Sequence, residues 1–178
     1  MSNQFKKLRL QYEYLVLEKE EVKEVCTQMG KEMDTFFSFH YPKEYKSFLE
    51  LNAKKNTSKK TKKPKKEKQI KKPKELKKIY HLIARKIHPD NIDTGDNRLF
   101  KVVAKAYSEN DISKLVEVAD LLDIKTPDFS KESVYLLEIK IQEVSTTIED
   151  LKKTSGWAWS HLTSDEEKKE FIQFLISN

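Results

Sequence analysis

The sequence predicts an all-α fold, and three observations carry that prediction. Apolar residues recur at alternating steps of three and four along two long stretches, one near each end of the chain. Two shorter stretches in the middle are amphipathic at helical spacing and flank a polar turn. The 178 residues include three glycines, which argues against a turn-rich β-protein.

The first long stretch begins at Phe5. Phe5, Leu8, Tyr12, Leu15, Val22, Cys26, Met29, Met33 and Phe36 form a heptad seam, broken only by Lys19. Gly30 weakens such a helix by about 1 kcal/mol without stopping it, and Pro42 ends it. Tyr45, Phe48, Leu49 and Leu51 suggest a short second helix, completing an N-terminal region 1–52.

Residues 53–73 form a Lys-rich linker. Between Ala53 and Lys74 stand twelve lysines and one acid, Glu67. Outside that run 23 basic and 28 acidic residues remain, so a net charge of +6 conceals a body of net −5. Dense like charge, Pro64, Pro73 and the isolated apolar Ile70 leave too little burial to offset ordering entropy. The run is a solvated spacer, or a polyanion-binding segment through Lys59, Lys60, Lys62, Lys63, Lys65 and Lys66. With no aromatic residue among the lysines, binding to nucleic acid would lack base stacking and be non-specific. In a eukaryote the same run would serve as a nuclear-import signal.

Residues 74–125 form the central module. Leu76, Ile79, Tyr80, Ile83 and Ile87 make one apolar face, with Lys77, Lys78, His81, Arg85 and Lys86 opposite. Pro89 forces His88 out of the helical region and ends the helix. After the turn HPDNIDTGDN, Leu99, Phe100, Val103, Ala106 and Tyr107 form the face of a second helix, predicting an antiparallel hairpin with His88-Pro89-Asp90 at its tip. A third helix, Asp111 to Leu122, is expected to cover the hairpin's open face.

In the last region, 126–178, Val134, Leu137, Ile141, Val144, Ile148 and Leu151 repeat the heptad spacing. Ser130 is its expected N-cap and Gly156 its expected stop. A final helix starts near Ser164, its first turn carrying Asp165, Glu166 and Glu167. Trp157 and Trp159 lie in the connection, either as an exposed anchor or as a cap on the bundle. The two seams are expected to bury each other as an antiparallel coiled-coil pair. Its rival is a parallel homodimer through the longer N-terminal seam.

These features also exclude function classes. Too few glycines stand in the chain for Rossmann or P-loop phosphate cradles. His40, His81, His88 and His161 are too scattered for a zinc box. No local spacing suggests paired acids, a Ser-His-Asp set or a Cys-His pair, so no catalytic residue, metal or cofactor is expected and the chain is not read as an enzyme. Cys26 cannot form an intrachain disulfide and sits on the seam, which fits a reducing, cytoplasmic setting. No apolar run reaches the length of a membrane span, and the N-terminus lacks a signal peptide's apolar core.

The central module resembles the J-domain of DnaJ-type co-chaperones over about residues 74–108. Lys77, Lys78, Tyr80, Ala84, Lys86, His88, Pro89 and Asp90 fall at that family's basic, Tyr, Ala, basic and His-Pro-Asp positions. Phe100, Lys101, Lys105, Ala106 and Tyr107 match its F-K-x-x-x-x-A-Y helix. The resemblance implies a partner, a DnaK-class chaperone ATPase whose hydrolysis is stimulated. Contact would run through His88, Pro89 and Asp90, with Lys77, Lys78, Arg85 and Lys86 on the basic face. The heptad helices would bind a client or mediate dimerisation. This sequence departs from the family in two places. His81-Leu82 replaces the basic pair after the tyrosine, and the lysine run stands where the family has its first helix. Two other classes stay open: a nucleic-acid-associated protein using the lysine run, and a structural coiled-coil protein. In the plainest reading His88 caps a helix and Pro89-Asp90 opens an ordinary turn.

Overall fold

A computed structural model describes residues 3–58, 72–88 and 98–177, with side chains described for all of these except 51–58. Among the described residues every regular element is a helix. In order they are α1 (Asn3–His40), α2 (Pro42–Ser58), α3 (Lys74–Ile87), α4 (Arg98–Ser108), α5 (Ile112–Leu121), α6 (Lys131–Lys152), α7 (Ser155–Trp159) and α8 (Asp165–Ser177). None of the described helices is long and apolar enough to cross a membrane.

The chain forms two compact units, Met1–Glu18 with Ile70–Thr146 and Lys19–Gln69 with Thr147–Asn178. The divisions fall inside α1, between Gln69 and Ile70, and inside α6.

In the first unit, Leu76, Ile79, Ile83 and Ile87 of α3 are buried with Val103 and Ala106 of α4. Tyr80 stacks on Tyr107 with ring centroids 4.3 Å apart, and His88 meets Phe100 edge-on at 5.8 Å. The start of one helix thus lies beside the end of the other, so α3 and α4 run antiparallel. Helix α5 packs on both and contributes Ile112, Leu115, Val116, Val118 and Ala119 to the same core. Phe5 and Leu137 are buried there too, and Leu8, Tyr12, Val134 and Ile141 pack against it.

Local chemistry sets the ends of these helices. The Asp111 carboxylate accepts from the Lys114 amide at 2.9 Å, capping α5. Asn110 and Asp123, at φ 56° and 50°, take the left-handed conformation that ends α4 and α5. The amides of Asp111 and Ile124 then bond back to the carbonyls of Ala106 and Ala119, both at 2.8 Å. Ser130 caps α6 as expected, its hydroxyl accepting from the Ser133 amide at 3.3 Å.

In the second unit, Met33 and Phe37 of α1 are buried with Trp159 and Ile172. Helix α1 stops at His40, and α2 starts at Pro42, where the missing amide hydrogen costs no helical bond. Tyr45 and Phe48 fold back onto Phe37, with centroids 5.2 and 5.5 Å away. Helix α2 continues to Ser58, taking in the first six residues of the expected linker, because Ala53, Lys54 and Lys55 are good helix formers. A capping box starts α8. Ser164 Oγ accepts from the Glu167 amide, and the Glu167 carboxylate accepts from the amides of Thr163 and Ser164.

Two expectations are corrected. Gly156 does not stop the C-terminal heptad helix; α6 ends at Lys152 and Gly156 lies inside α7. It is buried against α1, where an added Cβ would stand 2.4 Å from the Cys26 carbonyl oxygen and 3.3 Å from the Gly30 nitrogen. The two long helices are also not antiparallel. In the second unit Cys26 donates to the Leu151 carbonyl at 3.5 Å while Gly30 lies against Gly156, so numbers rise together along both segments. In the first unit Phe5 stacks on Phe129 at 3.8 Å, and Tyr12 lies within electrostatic reach of Glu143, giving the same direction. The cause is that Phe129 and the first turns of α6 share the core that holds the first turns of α1, so both helices start from the same packed cluster.

Candidate functional site

The central module's apolar stripe is turned fully inward: Leu76, Ile79 and Ile83 have no exposed surface and Ile87 has 6%. Because side chains three and four apart share a helix face, burial of that stripe drives Lys77, Lys78, His81, Arg85 and Lys86 outward, and all five are exposed. Helix α3 therefore presents one uniformly basic outer face.

At its end, His88 is an exposed C-cap with φ −59° and ψ 135°. That extended backbone is what a following proline requires. The ring rests edge-on against Phe100, which ties the end of α3 to the start of α4. Pro89 and Asp90 lie outside the described residues, as do Lys59, Lys60, Lys62, Lys63, Lys65 and Lys66. Of the expected site, the structure brings together His88, Lys77, Lys78, Arg85 and Lys86 on one helix.

Sequence spacing missed what two of the lysines touch. Lys86 donates its ammonium to the Leu122 carbonyl at the end of α5, so part of its role is to cap that helix. Lys72 lies 3.8 Å above the Tyr107 ring and also donates to the Tyr107 carbonyl. Heptad and face patterns say which side chains are exposed, not which carbonyls fall within reach.

A second missed feature is polar and ties α1 to α5. Arg9 bridges Glu13 and Asp120, each at 2.7 Å. Glu13 accepts from the buried Ser113 hydroxyl at 3.3 Å, and the Tyr12 hydroxyl donates to Asp111 at 3.3 Å. Burial, reinforced by the Asp111 charge, pushes the Tyr12 phenol well above its usual range. An Arg, Tyr and Glu clustered on one apolar helical face was the available signal.

The tryptophans divide. Trp159 is 1% exposed and donates its indole N–H to Glu32 at 3.3 Å, so it belongs to the core rather than to an exposed anchor. Trp157 is half-buried, edge-on to His161. Among the described residues, no group of three or more His, Cys, Asp and Glu is placed to hold a metal ion. No known family model, curated protein or solved structure matches the chain.

Proposed function

We propose that the chain is a J-domain-like co-chaperone or adaptor. In this reading the hairpin of α3 and α4 engages a DnaK-class chaperone ATPase through His88, Pro89 and Asp90 and stimulates its ATP hydrolysis. The chain does no catalysis itself; it biases the partner's conformational cycle. The observation that carries the reading is the register between motif and geometry. The His-Pro-Asp triplet starts where a basic helix ends, and the F-K-x-x-x-x-A-Y helix runs back beside it, with Tyr80 stacked on Tyr107.

Physically, the Asp90 carboxylate suits a bidentate pair with a partner arginine. Pro89 restricts the loop, and the basic face of α3 steers the encounter with an acidic groove. No stretch with the signature of the family's first helix precedes this hairpin in the sequence. The first turns of α1, with α5 and α6, supply apolar residues to the hairpin's core instead. We assign client or target binding to α1 and α6 and place the protein in the cytoplasm. A nucleic-acid-associated role for the Lys-rich run is the second reading, favoured by its twelve lysines against one acid.

The full chain captured on a biosensor tests the proposal against an ATP-loaded DnaK-class chaperone. Binding should weaken with salt and fall at least about tenfold in Asp90→Asn and in Lys77→Glu/Lys78→Glu, the size expected when an interfacial charge is removed. Equal binding by all three proteins would contradict it, and retardation of nucleic acid without chaperone binding would favour the second reading.

A further inference from the structure

The positive charge of the described structure is not confined to α3. Across α3 and α4 together the one acid is Glu75, and its carboxylate is turned toward α6, accepting from the Ser133 hydroxyl at 3.3 Å. Lys74, Lys77, Lys78 and Arg85 on α3 and Lys101 and Lys105 on α4 are all exposed. The acid that reaches Lys105 is Glu109, in an exposed pair at 4.0 Å, a distance and setting that contribute little.

The two rows border one seam. Tyr80 lies against Tyr107 and His88 against Phe100, so the antiparallel register brings Ala84 opposite Ala104, both half-buried. Lys77 stands seven residues before Ala84 and Lys101 three before Ala104, which puts each on the seam side of its helix. From Lys74 to Arg85 the α3 row spans about 16 Å at 1.5 Å per residue.

We propose that this two-helix face binds the phosphate backbone of a nucleic-acid duplex, independently of the Lys-rich run and of the chaperone reading. Packed helices lie about 8–10 Å apart, comparable with a major groove about 12 Å wide. The α3 and α4 rows therefore suit the two strands that border a groove. Each strand of a duplex carries one charge per about 3.4 Å of helix axis, so a 16 Å row spans about five phosphates. A duplex meets both rows with charge of one sign along its whole length. Binding is sequence-independent, since the rows contact phosphates and not base edges.

Fluorescence anisotropy of a labelled 20-base-pair duplex, titrated with full-length chain between 50 and 200 mM salt, tests this. A face variant carries Lys77→Gln, Lys78→Gln, Lys101→Gln and Lys105→Gln. A control of equal charge carries Lys23→Gln, Lys31→Gln, Lys43→Gln and Lys46→Gln in the second unit. A third protein has the lysines at 59, 60, 62, 63, 65 and 66 changed to Gln. Circular dichroism checks that each variant folds. The face variant should bind at least about tenfold more weakly, with a log–log salt slope shallower by about 3 to 4, at about 0.9 for each phosphate left without its lysine. The control should stay within about threefold of wild type, and the single strand should bind more weakly than the duplex. The proposal is overturned if the chain binds no duplex, if the face variant keeps wild-type affinity and slope, or if the control loses as much as the face variant.

Discussion

Two glycines of the second unit sit in opposite environments and so predict opposite substitution effects. An added Cβ at Gly30 meets nothing within 4 Å, so Gly30→Ala should gain the helix-propensity difference, raising stability by about 1 kcal/mol. At Gly156 the Cβ would collide with the backbone carbonyl of Cys26, which cannot rotate away. Gly156→Ala should therefore lower stability by about 1–3 kcal/mol, the range for overpacked sites. Urea unfolding followed by circular dichroism checks both; equal effects would contradict the close approach of α7 to α1. Only the first of these glycines was legible in the sequence. A glycine after a heptad helix signals a stop by local rules, and nothing local reveals a neighbouring backbone. The same limit explains Lys86: its exposure followed from the spacing of Ile83 and Ile87, its bond to the Leu122 carbonyl did not.

At the scale of elements, α8 is attached through carboxylates, which makes its packing acid-sensitive. Bonds from Lys168 and then from the Trp159 indole hold the Glu32 carboxyl below the usual carboxylate range. The amides of Thr163 and Ser164 do the same for Glu167. A depressed folded-state value means that the stabilisation is complete above the ordinary value of 4.5 and is lost as pH falls through the lower folded value. The stability difference between wild type and Glu32→Gln should accordingly be largest at pH 7 and smaller at pH 3. Urea unfolding read by tryptophan emission at the two pH values tests this. A difference that stays constant would remove the ionic part of the account. The elements themselves were largely visible beforehand. Asp111, Ser130 and Ser164 mark helix starts, and Pro42 a helix end, through chemistry confined to a few residues. The direction of α6 beside α1 was hidden, because a heptad seam has the same spacing in either direction. It is decided by Phe129 stacking on Phe5, a contact between residues more than a hundred positions apart.

For the whole molecule, the seams found in sequence are spent within one chain. Every seam residue from Phe5 to Phe36, and from Val134 to Leu151, is buried or half-buried without a second copy. The seam itself is thus covered within one chain, while Leu10, Tyr14 and Leu17 on another side of α1 stay exposed. Sedimentation equilibrium at about 10 µM, a concentration at which an obligate dimer stays assembled, should give a single species near 21.0 kDa. A species of twice that mass would reinstate the homodimer. The candidate site was legible as a face, since the buried stripe of α3 dictates which residues point outward. The proposed partner rests only on the J-domain resemblance, because charge on a helix states what sign it attracts and not which protein.

In the proposed function the His88-Pro89-Asp90 triplet that follows a basic helix changes another protein's catalytic cycle. Single-turnover hydrolysis by a DnaK-class chaperone, preloaded with ATP and mixed with the full chain, measures that most directly. Wild type should accelerate hydrolysis, and His88→Gln and Asp90→Asn should return the rate to that of the chaperone alone while both variants keep wild-type circular dichroism. Acceleration of the same size by all three proteins, or none by wild type, would contradict the account.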